Sequence, residues 1–503
     1  MRSSTERGEP VVGVAVRGFS SVLVAGHSQF VGSDVATTDD RGEYRLANLT
    51  PGKYAVSVLS VQQTVLDTTP EAAQRRAIGE LSRGGGVNPG LPAVDVDGTH
   101  RLAISNFATP PPPSATAPRA YAAEFYPGTP TISNARLIDI AYGTSRRGVD
   151  FQLHPVPAVT VSGRLDGASD ASSMLLRLMA AGSEQFGAGS EAATTVVERN
   201  GAFTFLNVPA GEYTLLAQAV FGELTRGIGE VSMPDAPGFA GGPGQAGMAM
   251  NLSSGGLNFS SHTSKTGMWG RARVAVGTAN VTDVVVQIHS PVTVRGRVVM
   301  ASGGSGLRLS TILGAQPANG DPSAGFVNKF ITINGDTPFA LEGLGRGTYL
   351  IGLPSYFQFV SVASITTAGR EIRDTGLDTS DGRDIDDVVI SLTENITSIQ
   401  GTVRGDGAAA AAVIIFPANR ARWTDYGVDP ILFRSKATDS TGTFLVKGLP
   451  DGDYFAVAVD GMQHDAWVDP KFLEAASTVA TRITLTLGEK KSLDLTMSKV
   501  VVK

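Results

Sequence analysis

Six histidines, His27, His100, His154, His262, His289 and His464, are the imidazoles from which a zinc site or a general base would have to be built. None is followed by Glu three residues later, and no two stand close enough to share a helix face. His154 and His289 each end a strand-like run, which reads as polar strand ends rather than as metal ligands. Cys is absent, so disulfides, Cys-based zinc sites, iron–sulfur clusters and thiol nucleophiles are excluded together. No Gly-x-Ser-x-Gly elbow occurs, and the glycine run "RGGGVNPG" lacks the Lys-Ser/Thr of a phosphate loop. The acidic clusters "DVDGTH" (Asp95–His100) and "DTSDGRDIDD" (Asp378–Asp387) offer oxygens to Ca²⁺. Neither fits the twelve-residue EF-hand loop, and turns call for Asp and Gly in any case. A glycosidase carboxylate pair has no sequence spacing to test, because its members can lie far apart.

Aromatic side chains in polar stretches are the remaining candidates. Trp423 and Tyr426 stand in "ARWTDYG", Trp467 in "HDAWVD", and Tyr121, Phe125 and Tyr126 in "YAAEFYPG". Flat rings of this kind stack on the C–H faces of sugars while nearby polar groups read hydroxyls. Trp423, Tyr426, Trp467, Tyr121 and Tyr126 are therefore the candidate ligand-binding residues. The competing reading is that each ring caps its own domain core or packs at a domain junction. Trp269, in "GMWGRARVAV", reads as structural. No residue pattern calls for a cofactor or a metal.

The elements that would carry these rings come from a repeated phrase. "TTDDRGEYRLANLTPGKYAVSV" (Thr37–Val58) returns as "ATDSTGTFLVKGLPDGDYFAVAV" (Ala437–Val459), and two further copies lie between. The aromatic pairs are Tyr44 and Tyr54, Phe203 and Tyr213, Phe339 and Tyr349, Phe444 and Tyr454, with a Gly two residues before each tyrosine at Gly52, Gly211, Gly347 and Gly452. The third copy diverges, with two extra residues after Gly335 and Gly345 in place of proline. Alternation at period two on either side of a turn reads as a β-hairpin with both aromatics facing inward. Closing runs at Arg147–Pro155, Val281–Ser290, Ile385–Glu394 and Lys491–Lys499 mark the end of each unit. Three of these are followed by "VTVSGRL", "VTVRGRV" or "ITSIQGTV", which open the next.

Composition agrees with that reading. The 503 residues are 42% hydrophobic and only 17% charged, with 60 Gly and 27 Pro, the balance of a turn-rich β protein. The expected fold is all-β, four tandem antiparallel β-sandwiches over residues 1–156, 157–290, 291–395 and 396–503. The first carries a long insertion at 61–120 and the second a Gly/Pro-rich insertion at 221–270. Helices are expected at Thr69–Gly85 and near Asp469. "ATPPPPSATAP" (108–118) and Ser232–Ser261 read as extended or mobile surface loops. A net charge of −6 implies no nucleic-acid or anionic-lipid partner. The longest apolar run, Ala408–Phe416, is far short of the roughly 20 residues of a membrane helix. "MRSSTERGEP" has no apolar core of a signal peptide, which taken literally says cytoplasmic.

"TDDRGEYRLANLTPGKY" and "TDSTGTFLVKGLPDGDY" resemble the carboxypeptidase regulatory-like domain. That domain is a transthyretin-like (prealbumin-like) Greek-key sandwich of seven strands, often classed with carbohydrate-binding-like folds. The whole chain is similar to a multidomain bacterial type, common in acidobacteria, that strings such units together. "YAAEFYPGT", "GREIRDTGLD", "SIQGTVRGDG", "VIIFPANRARWTDYG" and "HDAWVDPKFLEAASTVATRITLTLGEKKSLDL" carry the likeness, which is strongest from Ser361 to Met497. Against that pattern "GEPVVGVAV" (Gly8–Val16) corresponds to the second strand, so the first sandwich is expected to lack its N-terminal strand. The reading frame is expected to begin late in a longer parent that carries a secretion signal. Zinc carboxypeptidases that bear such a domain also have a catalytic domain whose ligands begin as His-x-x-Glu, and this chain has no such pair. The resemblance thus implies a non-catalytic, extracytoplasmic protein that binds polysaccharide or another surface component. The alternative is a structural stalk, scaffold or accessory region with no ligand of its own.

Overall fold

The computed structural model describes residues 1–5, 8–66, 93–95, 99–103, 118–167, 174–184, 190–198, 200–219, 268–301, 309–321, 327–354 and 360–502. The helix expected over 69–85, the run 83–90, nearly all of 108–118, the stretch 232–261, His262 and part of 95–100 lie outside them. The chain is all-β, a series of antiparallel sandwiches. Its described parts fall into two compact units. One contains Met1–Ser21 and Thr266–Ser290 with the chain between Phe30 and Gly227; the other contains Val22–Gln29 and Pro291–Lys503.

The first repeat contributes β1 (Ser3–Thr5), β2 (Ala15–Val24), β3 (His27–Thr37), β4 (Gly52–Val58), β5 (Gln62–Leu66), β6 (Ala93–Asp95), β7 (His100–Ala103), β8 (Arg119–Tyr121), β9 (Glu124–Phe125), β10 (Ile138–Ile140) and β11 (Phe151–Leu153). The second has β12 (Pro155–Asp166), β13 (Met174–Ala180), β14 (Glu191–Val196), β15 (Ala202–Pro209), β16 (Gly211–Ala219), β17 (Trp269–Val276) and β18 (Val281–His289). The third has β19 (Val292–Met300), β20 (Leu309–Pro317), β21 (Val327–Ile333), β22 (Thr337–Leu344), β23 (Thr348–Gly352), β24 (Ser361–Thr367), β25 (Arg370–Glu371), β26 (Leu377–Asp378) and β27 (Ile385–Thr393). The fourth has β28 (Ser398–Arg404), β29 (Ala411–Pro417), β30 (Arg434–Ala437), β31 (Thr443–Lys447), β32 (Gly452–Asp460), α1 (Pro470–Ser477), β33 (Thr481–Leu485), β34 (Lys490–Ser492) and β35 (Leu495–Thr496). Helix α1 forms where Asp469 caps it and Pro470 opens it, and it buries Phe472, Leu473 and Ala476.

The repeated phrase is not a hairpin. Its two arms do not pair with each other: β15 pairs with β12, whereas β16 pairs with β13 and β17, and three strands separate the two arms along the same continuous path. In the fourth repeat β31 likewise pairs with β28, and β32 with β29 and β33. The cause is a left-handed residue six before each tyrosine, Asn48 (φ 53°), Asn207 (φ 58°), Gly343 (φ 94°) and Gly448 (φ 75°). Asn and Gly are the residues that accept this conformation, and it swings the chain across the sandwich instead of back along its neighbour.

Each tyrosine then ties the crossing down. Tyr54 Oη donates to Thr50 O at 2.7 Å, Tyr213 Oη to Pro209 O at 2.8 Å and Tyr454 Oη to Pro450 O at 3.0 Å. In the divergent third repeat the residue four back is Gly345, which has an N–H where proline has none, and it donates to Tyr349 Oη at 3.1 Å. This is the tyrosine-corner arrangement of β-sandwiches. All four rings are buried and lie in four different sheets. Tyr213, Tyr349 and Tyr454 each belong to a separate hydrophobic cluster. In the first repeat the sheet is buried on both faces: Val14, Val16, Val56 and Val58 enter one cluster while Ala15, Phe19, Ala55 and Leu59 enter another.

A second device joins the opening strand of a repeat to its closing strand. The pair runs parallel: β12 with β18, β19 with β27, and β28 with β34 and β35. At the glycine of "SGR", "RGR" and "QGT" the closing strand comes so near that a Cβ would sit 2.0 Å from Val284 O at Gly163, 1.9 Å from Val388 O at Gly296 and 1.8 Å from Leu493 O at Gly401. Only glycine fits. In the first repeat β1 pairs in parallel with β11 at the same position, and it is three residues long where β12, β19 and β28 have twelve, nine and seven. The expected gap at this edge is thus held by a shortened strand, made from "SST".

Residues 61–120, expected as a long insertion of the first repeat, contribute strands to the sheet of the second in their described part. β5 adds in parallel to β14, and β7 and β6 follow it, so three strands of the first repeat extend the sheet of the second. Thr64 Oγ1 accepts from Leu206 N at 2.8 Å, and Gln62 Oε1 from Asn207 Nδ2 at 2.9 Å. An edge strand with open donors and acceptors is a template for further pairing, and here β5 fills it.

Candidate functional site

Burial corrects the reading of the aromatic candidates. Trp423 is 4% exposed, its Nε1 donates to Pro417 O at 2.8 Å, and its ring meets Phe416 edge-on. Tyr426 is 7% exposed and stacks obliquely on Phe433 and half-buried Trp467, whose ring also packs on Phe433. Tyr121 is buried in β8, with its carbonyl accepting from Ser60 Oγ. Half-buried Tyr126 lies edge-on to Phe151 and donates to Gly148 O at 3.1 Å. Trp423, Tyr426 and Tyr121 thus offer no open flat face for a sugar, while Trp467 and Tyr126 stay half-buried. An indole or phenol beside a core gains more by burying its ring and satisfying its polar tip on a carbonyl than by facing water, and this is what the polar-looking flanks concealed. Trp269 stacks on His289, in keeping with its structural reading.

The acidic cluster is likewise engaged in the fold. Asp378 accepts from Ser380 N and Asp381 from Arg383 N, while Asp384 accepts from Thr293 N and pairs with Arg295 together with Asp386. Among the described residues no group of three or more His, Cys, Asp or Glu is arranged to hold a metal ion. Glu124, between two of the aromatic candidates, has a buried Oε1 without a hydrogen-bond partner, and burial pushes its carboxyl up to about 7 against a smaller opposing pull from His154.

What Trp423, Tyr426 and Trp467 do is hold the long loop between β29 and β30 against the fourth sandwich, and that loop meets the third. Gln316, on the outer face of β20, grips its backbone. Its Oε1 accepts from Val428 N at 2.9 Å and Asp429 N at 3.0 Å, and its Nε2 donates to Asp429 O at 3.1 Å. Gly427 N donates to Ala318 O at 2.8 Å. A second clamp is Arg373, 8% exposed. Its Nε donates to Asp374 Oδ1 at 2.7 Å, and its Nη1 to Asp451 Oδ1 at 2.7 Å and to Ala363 O at 2.9 Å. Burial alone would lower its pKa, but the carboxylates of Asp374 and Asp451 hold it above the ordinary arginine value. Asp451 belongs to the corner "LPDGDY", so the repeat motif of the fourth sandwich is also its attachment to the third.

Between the loop and the sheet remains a cleft of about 140 Å³. Its floor is the outer face of β20 and β23, where Gly314 and Gly352 stand directly opposite each other, flanked by the Gln316–Leu350 pair. Thr424, Val428 and Ile431 form the facing wall, with Arg373, Asp374 and Arg422 at its edges. Nothing in the sequence pointed to it. Arg373 stands beside its own Asp374 in "EIRDTG", but its reach to Asp451, 78 residues on, has no local signal.

No protein-family model matches the chain, and no curated protein matches it. Among solved structures, the Bacillus anthracis TIE protein aligns at 9% identity over 99% of this chain and 72% of that one, with a TM-score of 0.14. A streptococcal ancillary pilin aligns at 10% identity over 67% of this chain and 98% of its own, with a TM-score of 0.19. A minor pilin of Streptococcus agalactiae aligns at 11% identity over 42% and 98%, with a TM-score of 0.18. At such scores these alignments carry no argument. The fold and its clamps define a class on their own: an all-β protein of tandem sandwiches, each with a tyrosine corner.

Proposed function

We propose that this chain is a non-catalytic structural protein, a stalk or scaffold whose sandwiches are coupled into stiff pieces. The observation that carries the reading is Arg373, a buried guanidinium that reaches from the third repeat into the corner of the fourth. Domains free to reorient are joined by exposed linkers and polar interfaces; here a charge-assisted clamp and a glutamine grip on backbone oppose such freedom. The aromatic residues with the best sequence claim to a ligand support the loop that makes this junction. The resemblance of the repeats to carboxypeptidase regulatory-like units favours a setting outside the cytoplasm, among surface components. The polysaccharide-binding reading loses its platform rings to the core, apart from the half-buried Trp467 and Tyr126. Pull-down of the full chain on insoluble polysaccharides, with Trp467→Ala as control, separates the two. The scaffold reading expects no retention of either protein. Retention of the wild type that Trp467→Ala removes at unchanged thermal stability would overturn it.

A further inference from the structure

We infer that the cleft between β20, β23 and the loop 422–432 is a binding site for a small planar ring bearing a carboxylate, an aromatic acid. The floor gives the shape. Gly314 and Gly352 face each other across the two strands, so bare backbone replaces side chains over two adjacent positions on this sheet face. A Cβ placed on Gly352 would meet nothing within 4 Å. A flat hollow over a cross-strand glycine pair suits a flat ring, as aromatic side chains lie over glycines on sheets. The size agrees: about 140 Å³ is close to the roughly 150 Å³ of a cavity that holds one benzene. Leu350 and Ile431 supply apolar sides.

The charge comes from Arg422. Its side chain lines the cleft, half-buried, and has no hydrogen bond or ion pair with any described residue. The three carboxylates of the lining are engaged: Asp374 by Arg373, Asp425 Oδ1 by His27 Nε2 at 3.0 Å, and Asp429 in an interaction of its own. Arg422 is therefore the wall cation still open to an anion, and a guanidinium takes a carboxylate through two parallel N–H donors. A ring on the glycine floor with its acid turned to Arg422 satisfies both features. The junction builds this cleft, but neither the glycine floor nor Arg422 is itself part of the clamp, so binding and coupling can fail separately.

Titration of the full-length protein with 4-fluorobenzoate, followed by ¹⁹F line broadening, tests the assignment, with 4-fluorobenzylamine as the cation of the same shape. Saturable binding of the acid and none of the amine is expected. Arg422→Ala, which breaks no side-chain hydrogen bond or ion pair among the described residues, should weaken the acid by roughly 10-fold or more. Gly352→Leu should abolish binding by filling the floor, and Gly352→Ala serves in its place if circular dichroism shows the leucine variant misfolded. No saturable binding of the acid, equal affinity in Arg422→Ala, or preference for the amine would each overturn the proposal.

Discussion

Tyr454 reaches back four residues to a carbonyl that the chain has left without a partner, and Tyr54 and Tyr213 repeat the act. Removing that hydroxyl strands a buried acceptor. Tyr454→Phe should therefore cost about 1 kcal/mol, read as a lower urea midpoint at unchanged slope; no shift would mean the corner is held by packing alone. Glu124 makes a second statement at this scale. Its folded carboxyl titrates at about 7, above the roughly 4.3 of an unfolded glutamate. Stability from this group is thus full below about pH 4.3 and falls as pH rises towards 7. Thermal denaturation at pH 4.5 and pH 8 should show a smaller loss in Glu124→Gln than in wild type. An equal loss in both would place the carboxylate in water. The tyrosines were legible in the sequence, because an aromatic with a glycine two before it recurs at fixed spacing. Glu124 was not, since its environment is built by tertiary packing.

At the scale of elements, the glycines of the opening strands are the sharper constraint. Gly401 has Leu493 O only 1.8 Å from where a Cβ would stand, and a backbone oxygen cannot rotate away as a side chain can. Gly401→Ala should destabilise the second unit by about 3 kcal/mol or more, whereas Gly352→Ala, with open space above it, should change stability little. Comparable effects of the two in denaturant titrations would contradict the close approach. Strand content and turn positions were readable from period-two alternation and Gly/Pro punctuation. The pairing was not. The phrase reads as a hairpin because both arms alternate correctly, and what sends the second arm away from the first is one left-handed residue, Asn48 or its counterpart. Nothing local distinguishes that from a hairpin turn. The same blindness hid β5, whose partner β14 lies more than a hundred residues away.

At the scale of the whole molecule, four repeats resolve into two compact units, and within the second the coupling is concentrated in few groups. Exposed ion pairs contribute little, but Arg373 is buried and its donors go to two carboxylates and two carbonyls. Its loss leaves Asp374 and Asp451, both part-exposed, without their cation, at about 2–3 kcal/mol. Trp423, Tyr426 and Trp467, first read as part of a ligand platform, belong to this same junction, which explains why their loops look polar: the loop must be wet on one side and anchored on the other. Denaturant-dependent hydrogen exchange on the full chain tests the coupling most directly. Amides of β19, β22 and β27 in the third repeat and of β28, β29 and β32 in the fourth should open with one common free energy in the wild type, and should separate into two levels in Arg373→Met. Two distinct levels in the wild type, or none appearing in the variant, would contradict the account.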